Sequence, residues 1–493
     1  MRRLLSTLLL ALACALVVIP LAGASGVPSA SADQGADASA GNAQLLQIIK
    51  NDMARAGSGR IGVAVKFLPT GQTAYWNADK VYESASLYKV FVMYEAFRQE
   101  RAGAISFSNR MVITQAIADV NGGYSPVPIG SSLSISQALE LMITVSDNAS
   151  AVALRQRLGV NSINASIKSR LGLTETQILY DSVTSPRDML RFFDGLSRLA
   201  YLDVDASKEM MRLLLAQQDN DRIPAGLPKY VWVAHKTGEL DGVRNDAGIV
   251  YSPAGPIIIA IVDDHTYNLS ALISAEVKLS SDIYNYAMSG KFGKPTSAPF
   301  LYDPELETAL KPSLAAAGGK ISLAVQQLDT GQGTLDSPAT AWPLATGFDP
   351  DRLADPRAVR ARRAEPEAEC GDDSECLAAL SQSVSAAAFK QRVSRGDLDD
   401  GLVLRQALER AQKAGGIVAK IPADDVVAYL DSRVGGTIKE VAVIRSSSGL
   451  YVVSSSAPTS VVAQLVNVGS AIQSYFAGCV WGHQSNPQAC SGS

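Results

Sequence analysis

Ser86-Leu87-Tyr88-Lys89 is the stretch on which the reading of this chain turns. A serine hydroxyl is a poor nucleophile until a base takes its proton. Val90, Phe91, Tyr94 and Phe97 follow at the 3.6-residue spacing of an apolar helix face. A helix starting near Ser86 puts Lys89 one turn on, with its amine in reach of the hydroxyl. A lysine at its ordinary pKa of about 10.4 is a poor base at neutral pH. Burial or a second cation nearby would lower it. Taken alone, the four residues are as well explained by a helix start with a solvated lysine.

Outward from that stretch, 493 residues are enough for two or three domains at about 100–200 residues each. A hydrophobic content of 47% suits packed cores, and a net charge of −4 argues against nucleic acid as a partner. Arg2-Arg3, the apolar run Leu4 to Ile19, Pro20 and the small-residue sites Ala22-Gly23-Ala24 and Ala30-Ser31-Ala32 read as an export signal over 1–32. The protein is therefore expected outside the cytoplasm. The run is long, so an uncleaved N-terminal membrane anchor is the alternative. Cys14 lies inside it, and Ala11-Leu12-Ala13 before it match a lipoprotein signal poorly.

Cys370, Cys376, Cys479 and Cys490 are an even set, which suggests two disulfides in an exported chain. Pairing Cys370 with Cys376 and Cys479 with Cys490 is the simplest of three connectivities. No Cys-x-x-Cys occurs and His235, His265 and His483 are scattered, so no metal site and no cofactor are expected.

Residues 33–43 are small and polar, the composition of a disordered segment. Leu45, Leu46, Ile48, Ile49 and Met53 share a helix face. Ile61, Val63, Val65 and Phe67 alternate as a strand, and Pro69-Thr70-Gly71-Gln72 turns it into a second strand through Tyr75 and Trp76. From about 100 to 220 the pattern is helical, with Ile135, Leu139 and Met142 on one face. Ser185-Pro186-Arg187-Asp188 is a helix start with a serine cap, proline in the first turn and an acid three residues after the cap. Strands at 230–237, 245–251 and 256–263 precede a closing helix from Asn268 to Met288. The strands at the two ends are expected to pair in one antiparallel sheet, with the helical middle as a separate lobe and a ligand cleft between them.

Two further short motifs fall inside this segment. Ser146-Asp147-Asn148 stands 60 positions after Ser86, and Lys236-Thr237-Gly238 ends the strand at 230–237. Each is weak alone. The three in this order, on helix, loop and strand, resemble the class A β-lactamases and penicillin-binding proteins over residues 44–288. Tyr124-Ser125-Pro126-Val127 resembles the family's segment before its Ser-Asp-Asn. Asn245-Asp246 and Gly248 to Pro253 resemble the strands after Lys-Thr-Gly. The fold class implied is α+β, β-lactamase-like: an antiparallel sheet flanked by helices plus a helical lobe, with a second, smaller α+β domain behind it.

The resemblance implies roles. Ser86 attacks an amide or ester carbonyl and becomes acylated. Lys89 takes its proton, directly or through water, and Lys236 across the cleft helps keep Lys89 neutral. Ser146 relays a proton to the leaving nitrogen and Asn148 bonds the substrate amide. Lys236 and Thr237 hold the substrate carboxylate, and Gly238 lies beside them. The backbone N–H groups of Ser86 and Glu239 form the oxyanion hole. Glu239 stands where the family usually has a small residue, so substrate choice should differ. Arg244 is a further candidate for carboxylate binding, with a solvated strand residue as the alternative. Tyr124 either lines the cleft or packs. His235 reads as a strand residue.

One departure concerns the second half of the reaction. The family's loop between Ser-Asp-Asn and Lys-Thr-Gly carries a glutamate that activates the deacylating water, with an asparagine four residues on. Here Gly172 to Ser185 holds only Glu175 and Asp181, and Leu179 and Ser185 occupy the partner positions. Acylation machinery is present while the usual deacylation base is not visible.

Residues 289–304 read as a linker. Beyond it, Gly59 to Gln72 lines up with Gly319 to Gln332 at an offset of 260, with eight of fourteen pairs identical. The same offset puts Thr346 at the position of Ser86 and Asp349 at that of Lys89. Val441 to Val453 and the helical stretch to Phe476 resemble the finish of the first unit. Residues 305–478 are thus expected to be a shortened copy without the chemistry, with Arg433-Val434-Gly435-Gly436 near the place of Lys-Thr-Gly and a charged, cysteine-bearing loop over 354–381. Residues 479–493 form a cysteine-bearing tail. An unrelated α+β domain is the alternative.

Two function classes follow. One is a secreted serine acyl-hydrolase acting on β-lactams or cell-wall peptides, as a β-lactamase or as a penicillin-binding DD-peptidase or esterase. The other is a low-turnover binding protein that uses the second domain for interactions. The expected partner is a small β-lactam or a cell-wall peptide, with no nucleic acid, and a membrane only through the N-terminal anchor.

Overall fold

The computed structural model describes residues 42–57, 59–120, 125, 127–293, 300–327, 331–336, 415–422, 425–434, 436–446 and 449–478. The export signal, the segment 33–41, Tyr124, Thr346, Asp349 and the four cysteines of the expected disulfides lie outside these residues. No helix among the described residues is long and apolar enough to cross a membrane.

Asn42 belongs to the fold. Its Oδ1 accepts the Leu45 N–H at 2.9 Å and caps α1 (Ala43–Met53). Strands β1 (Arg60–Phe67) and β2 (Gln72–Trp76) form the expected hairpin. Next come α2 (Lys89–Arg101), α3 (Ile135–Thr144), α4 (Asn148–Leu158), α5 (Val160–Ser169), α6 (Pro186–Ser197) and α7 (Val204–Leu215). Strands β3 (Trp232–Leu240), β4 (Val243–Ser252) and β5 (Gly255–Asp264) return to the sheet, and α8 (Leu269–Met288) closes the unit. The sheet order is β2-β1-β5-β4-β3, antiparallel throughout, so the two ends of the unit meet at β1 and β5.

Both faces of this sheet are covered. Ile257, Ile259 and Ile261 pack with Ile61, Val63 and Val65 against Leu45, Leu272 and Ile283 of α1 and α8. The alternate set, Ile258, Ala260 and Val262, packs against the helical lobe with Phe91, Leu139 and Phe192. A strand buried on both sides loses the apolar–polar alternation of a half-exposed one, and β5 is buried at every position. The lobe is centred on α2, which is buried continuously from Lys89 to Phe97 rather than along one stripe. Its one acid there, Glu95, accepts bonds from Arg98, Gln99, Ser162 and Ser166. Burial opposes its charge, but these bonds prevail and bring its pKa down to about 2. At the start of α6 the Ser185 hydroxyl accepts the Asp188 N–H at 3.1 Å, with Pro186 in the first turn, as the sequence predicts.

The second unit starts earlier than the sequence suggests. Strand β6 (Leu301–Tyr302) falls inside the expected linker, and α9 (Pro304–Ala315) follows at once. Strands β7 (Ser322–Gln327), β8 (Gln332–Asp336), β9 (Val426–Val434), β10 (Thr437–Ser446) and β11 (Gly449–Pro458) and helix α10 (Val462–Gly478) complete it. Its sheet runs β6-β8-β7-β11-β10-β9, with β6 parallel to β8 and the other pairs antiparallel. Without β6, the chain enters and leaves this sheet in the order of the first. The hairpin register agrees as well: Val65 faces Ala74, and Val325 faces Thr334, each 260 residues later. The short apolar strand β6 was missed because flanking Gly and Pro residues mark the stretch as a linker. Phe300, Leu301 and Tyr302 join the core of the first unit, as do Ala324 and Leu335. Lys208 of α7 reaches across to Glu307 at 2.8 Å.

Candidate active site

Ser86 lies in a 3₁₀ turn, Ala85–Tyr88, that runs directly into α2. Ala85 before it has φ of +42°, a left-handed conformation that non-glycine residues seldom adopt, and such strain gathers at functional sites. Ser86 is partly exposed, and its hydroxyl has no hydrogen-bond partner among the described residues. Lys89 is one turn on and fully buried. Its amine does not bond Ser86 directly. It donates to the Ser146 carbonyl at 2.6 Å, to Ser146 Oγ at 3.1 Å and to Asn148 Oδ1 at 2.7 Å.

Ser146 stands between α3 and α4 with φ of +58°. Asp147 beside it is structural: its carboxylate accepts the Ser150 N–H at 2.7 Å, capping α4, and the Ser125 hydroxyl at 2.5 Å. From the opposite wall, Lys236 of β3 donates to Ser146 Oγ at 3.0 Å and to the Thr237 carbonyl at 2.9 Å. Two buried lysines from different elements thus converge on one serine hydroxyl. Burial, then the neighbouring Lys236, pushes the Lys89 amine well below its ordinary pKa. Burial likewise brings Lys236 down to about 7, against the pull of Asp246 and Asp219.

Strand β3 passes close to the nucleophile turn. A Cβ on Gly238 would sit 2.9 Å from the Ser84 carbonyl oxygen and 3.2 Å from the Ser86 nitrogen, so only glycine allows the approach. This brings the strand backbone at Gly238-Glu239 beside the Ser86 N–H, the arrangement needed for paired donors to an oxyanion. Thr237 is buried, opposite Asp246 of β4. Glu239 is half exposed and ion-paired with Arg222. Arg244 lies opposite Glu239 in the hairpin and spends its guanidinium on the Leu240 and Val243 carbonyls at 2.8 and 2.7 Å, with Glu239 at 3.8 Å. It is not brought into the lysine cluster. His235 is a buried strand residue, hydrogen-bonded to Asp246 at 2.8 Å and Asn220 at 3.0 Å.

Sequence reasoning missed Arg222. Asp219-Asn220-Asp221-Arg222 reads as a solvated polar turn, yet Arg222 is completely buried, ion-paired to Asp219 at 3.2 Å, to Asp221 at 3.3 Å and to Glu239. Oxygens of Asp219, Asp221 and Glu239 lie within 4.8 Å of one another. In the loop before α6, Asp181 is exposed and does not fold inward. Glu175 gives its backbone N–H to Asp188 at 2.8 Å, and its side chain has no bond to the lysine cluster.

Residues 44–287 match the profile of the beta-lactamase enzyme family. This half of the chain is a β-lactamase-family domain. It is 27% identical over 264 residues to a β-lactamase of Streptomyces fradiae, across 49% of this chain and 85% of that protein. It is 26% identical over 234 residues to a β-lactamase of Streptomyces albus G, across 43% and 74%. Among solved structures, that of PBP-A is 25% identical with a TM-score of 0.47, covering 50% of this chain and 97% of that one. The family match supports a serine hydrolase of the β-lactamase or penicillin-binding type.

The strand registers of the two sheets can be followed by the same path. In the first unit Lys236 pairs with Ala247, Ala247 with Ala260 and Ala260 with Ala64. From Ala324, 260 residues after Ala64, the same path runs through Ser454 and Val441 to Leu430. Leu430-Asp431-Ser432 therefore stands in the register of Lys236-Thr237-Gly238. Arg433 and Val434, expected near that place, end β9 three residues further on.

Proposed function

We propose that this chain is an exported serine acyl-hydrolase in which Ser86 forms an acyl-enzyme with β-lactams. One observation carries the reading: Lys89 and Lys236 converge on Ser146 Oγ beside Ser86, and burial lowers the pKa of both amines. A lowered pKa makes Lys89, one turn from Ser86, a better general base near neutral pH. Ser146, bonded to both amines, can pass the proton on to a leaving nitrogen. The N–H groups of Ser86 and Glu239 receive the developing oxyanion. Export rests on the apolar start of the sequence. The matching strand order and hairpin register support reading the second unit as a shortened copy, and Leu430 in the lysine register supports its loss of chemistry.

Deacylation is the slow step in this reading. Water attacking the Ser86 ester needs a base, and neither Asp181 nor Glu175 reaches the lysine cluster. The same observation favours a second reading, a penicillin-binding DD-peptidase or esterase that turns over cell-wall peptides and is trapped by β-lactams. Intact-mass measurement after incubation with a penicillin tests both. One penicilloyl adduct is expected, absent in a folded Ser86→Ala variant. A chromogenic cephalosporin should give a burst of one equivalent, then slow turnover that Asp181→Asn leaves unchanged. Adduct formation in Ser86→Ala removes the serine from the mechanism. Burst-free turnover at about 10 per second or faster removes the slow step.

A further inference from the structure

His235, Thr237 and Glu239 share one face of β3, since side chains alternate along a strand. Arg244 and Asp246 stand opposite Glu239 and Thr237 on β4. On this face the Arg222 guanidinium is already shared by Asp219, Asp221 and Glu239. Asp246 adds a fourth carboxylate: its Oδ2 accepts the Ile223 N–H at 3.0 Å, and its Oδ1 bonds His235. Four carboxylates therefore face two guanidiniums, those of Arg222 and Arg244. The Thr237 side chain, which the β-lactamase resemblance assigns to a substrate carboxylate, lies on this carboxylate-lined face, opposite Asp246. An incoming carboxylate at Thr237 would enter a face already lined by these carboxylates, where Arg222 is paired to three of them.

We propose that Glu239, clamped by the buried Arg222, sets the substrate class of this site: the substrate group docking against Thr237 is an uncharged amide or an ammonium, not a free carboxylate. The inference rests on the acyl-enzyme reading and narrows it. Penicillins, which carry a carboxylate, acylate Ser86 against this preference. Like charges within a few ångströms at a half-exposed site cost a factor of about ten in binding. An amide donates N–H groups to the same oxygens.

The test uses the full chain and a matched pair of activated acyl esters that differ only in the group reaching Thr237, a carboxylate in one and a primary amide in the other. Second-order acylation of Ser86 is followed by intact mass. The wild type should favour the amide. Glu239→Gln should raise the carboxylate-to-amide rate ratio about tenfold, and Asp219→Asn should move it the same way. The shift should shrink in 1 M salt, where the screening length falls to about 3 Å. A ratio unchanged in both variants, or a wild type that favours the carboxylate, overturns the inference while leaving acylation intact. No acylation by either ester or by a penicillin overturns the acyl-enzyme reading and this inference with it.

Discussion

Lys89 shows what burial does to a single side chain. In water its amine would hold its proton firmly at neutral pH; here burial and the second lysine lower its pKa well below the ordinary value. The active form is the deprotonated one, so acylation should rise with pH and level off once Lys89 has lost its proton. Lys236 loses its proton around pH 7. Lys89→Ala should slow acylation on the order of 10²-fold or more, the loss typical of a general base, and should remove that acid limb. Stopped-flow acylation with a fluorescent penicillin between pH 5 and 9 measures both. A Lys89→Ala variant with wild-type rate and profile would place the base elsewhere.

Between β3 and the turn carrying Ser86 the controlling fact is distance. Gly238 lets the strand backbone come within contact of Ser84, Ala85 and Ser86, and a methyl group there meets Ser84 O at 2.9 Å and Ala85 Cβ at 3.1 Å. Gly238→Ala must push the strand away from the Ser86 N–H and widen the oxyanion site. A displacement near 1 Å at reacting atoms costs on the order of 10²-fold in rate. The variant should keep wild-type circular dichroism and lose about 10- to 100-fold in acylation. An unaffected rate would mean that the two N–H groups do not act together.

Stability of the whole molecule carries the cost of the buried charges. Glu276 on α8 is fully buried with no hydrogen-bond partner for either oxygen among the described residues. Burial, then the nearby Asp263, raises its pKa well above the usual carboxylate range, and burial brings Asp263 itself to about 7. The sign follows from linkage. Both acids keep protons in the folded chain at pH values where the unfolded chain has lost them, so their contribution is full below about pH 4 and is lost as pH rises. Glu276→Gln removes one such loss. Its stability relative to wild type should grow as pH rises above about 4, by up to about 1.4 kcal/mol per pH unit, read by urea denaturation. Parallel stability curves would show that Glu276 ionises as freely in the folded chain as in the unfolded one. The helices and the second unit share in this stability, because Leu301, Tyr302 and Leu335 pack into the catalytic unit's core.

Local chemistry made much of the β-lactamase-family domain legible in sequence. The Ser185 cap, the strand at 256–263 and the helix after Asn268 are written in neighbouring residues, and the structure places them within a residue or two of expectation. Ser86, Lys89, Ser146, Asn148 and Lys236 were found by motif order, and the fold brings them together. What sequence does not carry is which polar groups end up away from water. Arg222 in Asp219-Asn220-Asp221-Arg222 looks like any surface arginine until β3 and the turn before it close around the guanidinium. Arg244 looks like a free cation until the β3–β4 hairpin binds it to its own carbonyls. Leu430 could be matched to Lys236 only by following three strand pairings, because register between distant strands is set by shared burial rather than by residues adjacent in the chain.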